Sequence, residues 1–276
     1  MEWKYYNHAL VPDCAPHEEV DTSALTEGKI WKKSNSILAR WTTKWDCGYE
    51  TNWWYTILDT PFDINKINAK RRYEIKKGNK YFDSRIFCAY DIKEQYYAVD
   101  VAAYSAYPEK YRPKVDQEDL YKKLYKNSFE DNKVFFGAFS KETGKLCGYV
   151  LAFIYDDYIY LAKQKAIPEF EKNGINAFLV HSVVEYYNDQ LSKEFYICDG
   201  ERNISHETAF QNFLEKYFGF RKAYCKLNIA YRPSIKWIIP ICYKLKSVFK
   251  RWDDIGVVHM INSVLTMEEI KRTQEE

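Results

Sequence analysis

Between residues 134 and 166 the apolar positions gather into three dense runs, VFFGAF, LCGYVLAFIY and YIYLAKQKA, separated by polar turns. Runs of this length, rich in aromatic and β-branched residues, predict strands. SKETG joins the first pair and the short Asp156-Asp157 turn joins the second, so the three form an antiparallel meander. The period then becomes helical. In GINAFLVHSVVEYYNDQL, residues Ile175, Phe178, Leu179, Ser182, Val183 and Tyr186 share one face. FYICDG is almost continuously apolar, as an interior strand would be. After a polar interval, Phe210, Phe213, Leu214, Tyr217 and Phe218 mark one stripe of another helix, and Gly219 stands where a helix end favours a left-handed residue. AYCKLNIAYR predicts a last strand.

Upstream, residues 1–30 show little periodicity and read as irregular. ILARWTT and WWYTIL predict short strands, INKINAKRRYEIKKGNK a basic helix stopped near Gly78, and RIFCAY another strand. DIKEQYYAVDVAAYSAY, ended by Pro108, and DQEDLYKKLYKN predict two helices, the second with acids in its first turn and lysines later, as the helix dipole prefers. A helix between the meander and FYICDG implies a parallel crossover in an otherwise antiparallel sheet. Where two parallel strands each feed a helix, their ends part and open a slot. The stretch DGERNISHETAF, residues 199–210, lies at that slot.

Composition narrows the function. Lys and Arg number 41 against 39 Asp and Glu, a net charge of +2, so only local basic clusters could argue for a nucleic-acid partner. The 25 tyrosines fit half-buried sheet faces and groove walls. Seven cysteines are scattered without metal-ligand spacing, and no metal site is expected. MEWKYYNHALVPDC lacks the apolar core of a secretory signal, and no apolar run reaches the roughly 18 residues of a membrane span. A cytoplasmic chain with free thiols is expected.

The order strand, helix, helix, three-strand meander, helix, strand, helix, strand resembles the GNAT superfamily of N-acyltransferases. Particularly alike is the end, where a polar turn with Asn203 leads into a helix closing on Gly219-Phe220. The run AKRRYEIKKGNKYFDSRIF is similar to a basic helix of the Fem-type aminoacyl-transferases, tandem GNAT-like proteins that add amino acids from aminoacyl-tRNA to cell-wall precursors. The resemblance implies an α/β fold with a mostly antiparallel sheet, one splayed parallel pair and flanking helices. It further implies three regions: an N-terminal lobe over 1–81, the acyltransferase domain over 82–233 and an amphipathic helical extension over 234–276.

The family's pyrophosphate loop runs Arg or Gln, two residues, Gly, one residue, then Gly or Ala. EKNGIN is the nearest stretch, so Lys172, Asn173, Gly174 and Ile175 are the expected donor-binding residues, with Glu171 standing where the family carries Arg or Gln. A bare helix start attracts phosphate, whereas a carboxylate beside it opposes that attraction. The family's general-acid tyrosine position holds Glu215, and Tyr217 is the displaced candidate.

Acyl transfer to an amine needs a base, an oxyanion donor and a proton for the leaving group. The oxyanion donor would be a backbone N–H of YIYLAKQ. Asp199, Glu201 and His206 are the candidate bases; the carboxylates require burial to raise their pKa, while the imidazole does not. Asp199-Gly200 equally fits a turn, and His206 a solvated residue at a helix start. Asn203 and Ser205 could hold a pantetheine-like or aminoacyl arm, and Ser205 or Thr208 could instead cap the helix.

The expected function is transfer of an acyl or aminoacyl group, from acyl-CoA or aminoacyl-tRNA as co-substrate and with no tightly bound cofactor, to an amine acceptor on a cell-envelope or polysaccharide precursor. Lys70, Arg71, Arg72, Lys76 and Lys77 could track the phosphates of tRNA or of a lipid diphosphate, or form a solvated helix face. Residues 234–251, with Trp237, Ile238, Ile241, Leu245 and Phe249 as an apolar stripe, could rest on a membrane surface or dock on the protein itself. The rival readings are a non-catalytic binding module of the same fold and an RNA or membrane-surface adaptor.

Overall fold

The computed structural model describes residues 2–32, 34–109, 112–204 and 209–274. In chain order its elements are β1 (Trp3–Tyr6), β2 (Ala9–Pro12), α1 (Ser23–Thr26), α2 (Lys29–Lys32), β3 (Leu38–Thr43), β4 (Trp53–Leu58), α3 (Ala69–Tyr81) and β5 (Phe82–Ile86). There follow α4 (Lys93–Ser105), α5 (Gln117–Asn127), β6 (Lys133–Ser140), β7 (Leu146–Ile154), β8 (Tyr158–Ala166) and α6 (Ile175–Tyr187). The chain closes with β9 (Tyr196–Glu201), α7 (Ala209–Phe218), β10 (Arg221–Tyr231), α8 (Ile239–Lys244), α9 (Lys246–Lys250) and α10 (Gly256–Thr273). Two compact units result, one of Met1–Tyr55, Glu201–Thr208 and Lys222–Glu276, the other of Thr56–Gly200 and Ala209–Arg221.

The larger unit holds the expected meander. β5, β6, β7 and β8 pair antiparallel in sequence order, and β9 joins β8 in parallel. Strand alternation feeds two helical layers. Phe135, Tyr149 and Leu151 turn toward Tyr96 and Val99 of α4 and Leu124 of α5. Phe136, Val150 and Ile159 turn the other way, toward Leu179 of α6, Leu214 of α7 and Ile75 of α3. The α6 stripe read from sequence is buried, except that Tyr186 is exposed and Tyr187 takes the buried place; on α7 Leu214 and Phe218 are buried, while Phe210, Phe213 and Tyr217 are half-buried against the same core.

Two boundaries differ from expectation. The basic helix starts at Ala69, because the Asn68 side chain accepts the Arg71 N–H and caps it there. The strand after it is FDSRI rather than RIFCAY: Phe82 opens it directly after α3 and pairs with Ser140. Phe87, beyond the strand, packs into the α4 layer.

In the smaller unit β1 and β2 form an antiparallel hairpin where the sequence looked irregular. Its two turn residues, Asn7 and His8, both have positive φ, at 46° and 64°, as a type I′ turn requires. β2 runs parallel to β3, a second parallel pair, and β3 is antiparallel to β10. The core joins Leu38, Trp53 and Leu227 to Ile239 of α8 and to Val264, Met267 and Ile270 of α10. Burying such a side chain is worth about 1.5–3 kcal/mol, so α10 is firmly docked. No helix among the described residues is long and apolar enough to cross a membrane.

Candidate active site

β8 and β9 pair only through Tyr158–Tyr196, Ile159–Ile197 and Tyr160–Cys198. Tyr158 stacks on Tyr155 at 4.5 Å and on Tyr196 at 5.7 Å, which locks the register at the closed end. Beyond Tyr160 the strands separate. β8 is bulged there, since Leu161 opposes Ala152 while Lys163 opposes Leu151. The extra residue, Ala162, has no partner on β7; Leu161 joins the α6 core and Ala162 the α4 core.

Asp199 stands on β9 immediately past the last paired residue. Asp199 is half-buried, and its desolvation pushes its pKa up to about 7, while a hydrogen bond from the Gln211 side chain on α7 works in the opposite direction. Among the described residues no cation pairs with it. Gly200 comes next with φ of +104°, and an added Cβ there would meet the Tyr160 ring at 3.3 Å. The glycine thus lets β9 turn against Tyr160 directly beside Asp199.

The other expected residues have different surroundings. Glu201, in the smaller unit, forms an ion pair with Arg40, whose side chain is 11% exposed, and lies 3.5 Å from the Tyr55 hydroxyl, which donates to it. Its carboxylate is committed to a guanidinium. Asn203 is exposed, and the neighbouring Arg202 donates to Asn52 O at 2.7 Å and lies over the Trp54 ring. Ser205, His206 and Thr208 lie outside the described residues. Tyr217 is held on α7 between Phe213, 4.6 Å away, and the Arg71 guanidinium, 5.2 Å from its ring centre. It lies six residues beyond Gln211, about 9 Å farther along the helix.

At the start of α6, Lys172 is exposed and Asn173 half-buried, while Ile175 is fully buried in the core. Gly174 has φ of +77°, and a Cβ there would come within 2.5 Å of the Glu74 carbonyl oxygen of α3. Packing of α3 against α6 therefore explains this glycine. The same packing sets a carbonyl oxygen beside the helix start, where a diphosphate would prefer donors.

Within the basic helix, Arg72 donates to the carbonyls of Asn65 and Ile67, both at 2.9 Å, and Arg71 covers Tyr217. Lys77 lies over Tyr73, and Lys70 and Lys76 are exposed.

Three groups were not singled out from sequence. Gln211 touches Asp199 only through tertiary packing. Arg40 was visible as the one charge in ILARW. On the α4 side of β8, Lys163 binds Asp100 at 2.7 Å, and the Tyr149 hydroxyl donates to the same carboxylate at 2.5 Å. Burial holds the Lys163 pKa below its usual value, against the pull of Asp100. The lone acid in the apolar stretch AVDVAA signalled a buried charge.

No family model matches the chain, and no curated protein matches it. Solved structures similar to it include the C-terminal domain of a putative lysylphosphatidylglycerol synthetase from Agrobacterium fabrum, at 9% identity and a TM-score of 0.50, covering 83% of this chain and 79% of that one. L-PGS from Bacillus licheniformis is similar at 14% identity, a TM-score of 0.50 and the same two coverages. A GNAT family acetyltransferase from Staphylococcus aureus aligns over 42% of this chain and 84% of its own, at 17% identity and a TM-score of 0.33. The likeness at these identities concerns the fold, and the fold is GNAT-like, as the order of strands and helices implies.

Proposed function

We propose that the chain is an acyltransferase that moves an acyl or aminoacyl group to an amine, with Asp199 as its general base. One observation carries this reading: a half-buried carboxyl stands at the point where β8 and β9 part, and its desolvation pushes its pKa up to about 7. A base poised near the working pH combines the right protonation state with adequate strength. The name of the similar putative lysylphosphatidylglycerol synthetase domain supports aminoacyl transfer as the class of reaction, and the resemblance of α3 to the Fem-type helix points the same way.

In the reaction the amine nitrogen attacks the carbonyl carbon of the donor, and Asp199 takes the proton that nitrogen sheds. Backbone N–H groups at the β8 bulge receive the charge developing on the carbonyl oxygen. The bond from the acyl carbon to the leaving sulfur or ribose oxygen then breaks, and the leaving atom accepts the proton from Asp199. The enzyme ends as it began.

The surroundings of α6 favour an aminoacyl ester over a CoA thioester as donor, since the Glu74 carbonyl and the nearby Glu171 oppose a diphosphate. The acceptor fits a cell-envelope or polysaccharide precursor amine.

The test compares two donors, acetyl-CoA and mixed aminoacyl-tRNA, with a panel of primary amines. Thiol release or tRNA deacylation that depends on the amine, and that falls at least 100-fold in Asp199→Asn, supports the proposal. Consumption of neither donor, with no rise in melting temperature on adding them, would leave the fold as a binding module.

A further inference from the structure

Docking of the C-terminal segment leaves one face uncovered. Trp237, Ile241, Leu245, Val248, Trp252 and Ile255 are each between 48% and 67% exposed. Ile241 lies on α8 and Val248 on α9, Leu245 joins the two helices, and Trp237, Trp252 and Ile255 stand in the flanking turns. Ile239 and the buried positions of α10 anchor the segment to its unit from the other side. Sequence alone placed Ile238 and Phe249 in this stripe; both are half-buried, and Val248 and Trp252 take their places.

The rim of the stripe is basic. Lys236, Lys244, Lys250 and Arg251 are exposed, and Lys246, which pairs with Glu269, adds a further cation. No acid occurs from Arg232 to Trp252; the exposed Asp253, which faces His259 at 3.0 Å, and Asp254 follow, so the segment 236–255 carries five cations against two acids. Six large exposed apolar side chains within the nineteen residues 237–255 exceed the scattered exposure expected on a monomer. A second copy of the chain meeting this band through a two-fold axis would bring together ten cations and only four acids. An anionic surface would satisfy both the apolar band and its rim. Tryptophans near both ends of the band suit a lipid interface, where one side of the indole is apolar and the other wet.

We infer that residues 236–255 form a membrane-surface anchor that lies in the interface of an anionic bilayer, apolar band inward and lysines toward the headgroups. The anchor does not depend on the acyl-transfer reading.

The test uses the full chain with sedimented vesicles of phosphatidylcholine alone and of phosphatidylcholine mixed with phosphatidylglycerol. Binding is expected to the mixed vesicles and to weaken as salt rises. Each neutralised cation near the surface should weaken binding about fivefold. Lys244→Gln, Lys250→Gln and Arg251→Gln together should therefore weaken it on the order of 100-fold. Trp237→Ala with Trp252→Ala should reduce it about tenfold or more, with the melting temperature unchanged because both side chains are exposed. The inference is overturned if mixed vesicles do not bind, or if binding survives both sets of substitutions. It is equally overturned if the chain instead forms a dimer that the tryptophan substitutions dissociate.

Discussion

An aspartate stands on either side of the sheet near the β8 bulge, Asp100 buried and Asp199 half-buried, and the two sites are built in opposite ways. Asp100, 1% exposed, receives the Lys163 ammonium and the Tyr149 hydroxyl. Tyr96 stacks on Tyr149 at 4.2 Å, and the Lys163 ammonium lies within 6 Å of the Tyr96, Tyr104 and Tyr149 rings. Charge there is balanced and enclosed, which suits a fixed scaffold under the bulge. Asp199, across the sheet, has an amide partner and among the described residues no cation, and its desolvation pushes its pKa up to about 7. Desolvation without a neutralising cation is what raises a carboxyl's pKa, and Asp199 meets that condition among the described residues.

Substitutions sharpen this contrast, and the largest effect should be on rate. Asp199→Asn keeps the shape but cannot take a proton, and activity should fall about 10²–10⁴-fold in single-turnover assays. The wild-type rate should rise with pH toward a plateau above about 7, and the variant should lose that dependence.

Next in size is Asp100→Ala, which strands the half-buried Lys163 ammonium and should cost up to about 3–5 kcal/mol in denaturant unfolding. A loss under 1 kcal/mol would mean that the network is not the scaffold described. Glu201→Ala should behave like Asp100→Ala, destabilising by a similar amount because Arg40 loses its partner. If Glu201→Ala instead left stability intact and removed activity, the catalytic assignment would move from Asp199 to Glu201.

Asp199→Asn should also change stability, in the opposite sense from Asp100→Ala. The folded state favours the protonated carboxyl, so ionising it weakens folding. That deficit is absent below pH about 4, opens as pH rises, and is complete above about 7. The variant should therefore be more stable than wild type at pH 8, by up to a few kcal/mol, and the gain should vanish near pH 4. The smallest effect expected is that of Arg71→Ala, which removes the cation over Tyr217 and should cost about 0.5–1 kcal/mol in melting experiments.

The sequence carried the meander and the parallel crossover because their apolar runs are long and their turns short. It did not carry the β1–β2 hairpin, whose strands have four residues each and whose turn is Asn-His, without the glycine that usually announces a type I′ turn. Asp199 was legible as the first charge ending an apolar strand. Its partner Gln211 was not, since the contact exists only once α7 packs back on β9. Arg40 and Glu201 are 161 residues apart, and no local pattern joins them. Gly174 matched a phosphate-loop glycine by position, yet its neighbour is the Glu74 carbonyl, a contact made by helix packing rather than by motif.

The central claim is that Asp199 is a base poised near neutrality, and carboxyl-carbon NMR titration of ¹³C-labelled aspartate, assigned with Asp199→Asn, tests it most directly. A midpoint near pH 7 for Asp199 is the predicted result. A midpoint below about 5 would show an ordinary solvated carboxylate and would contradict the proposed mechanism.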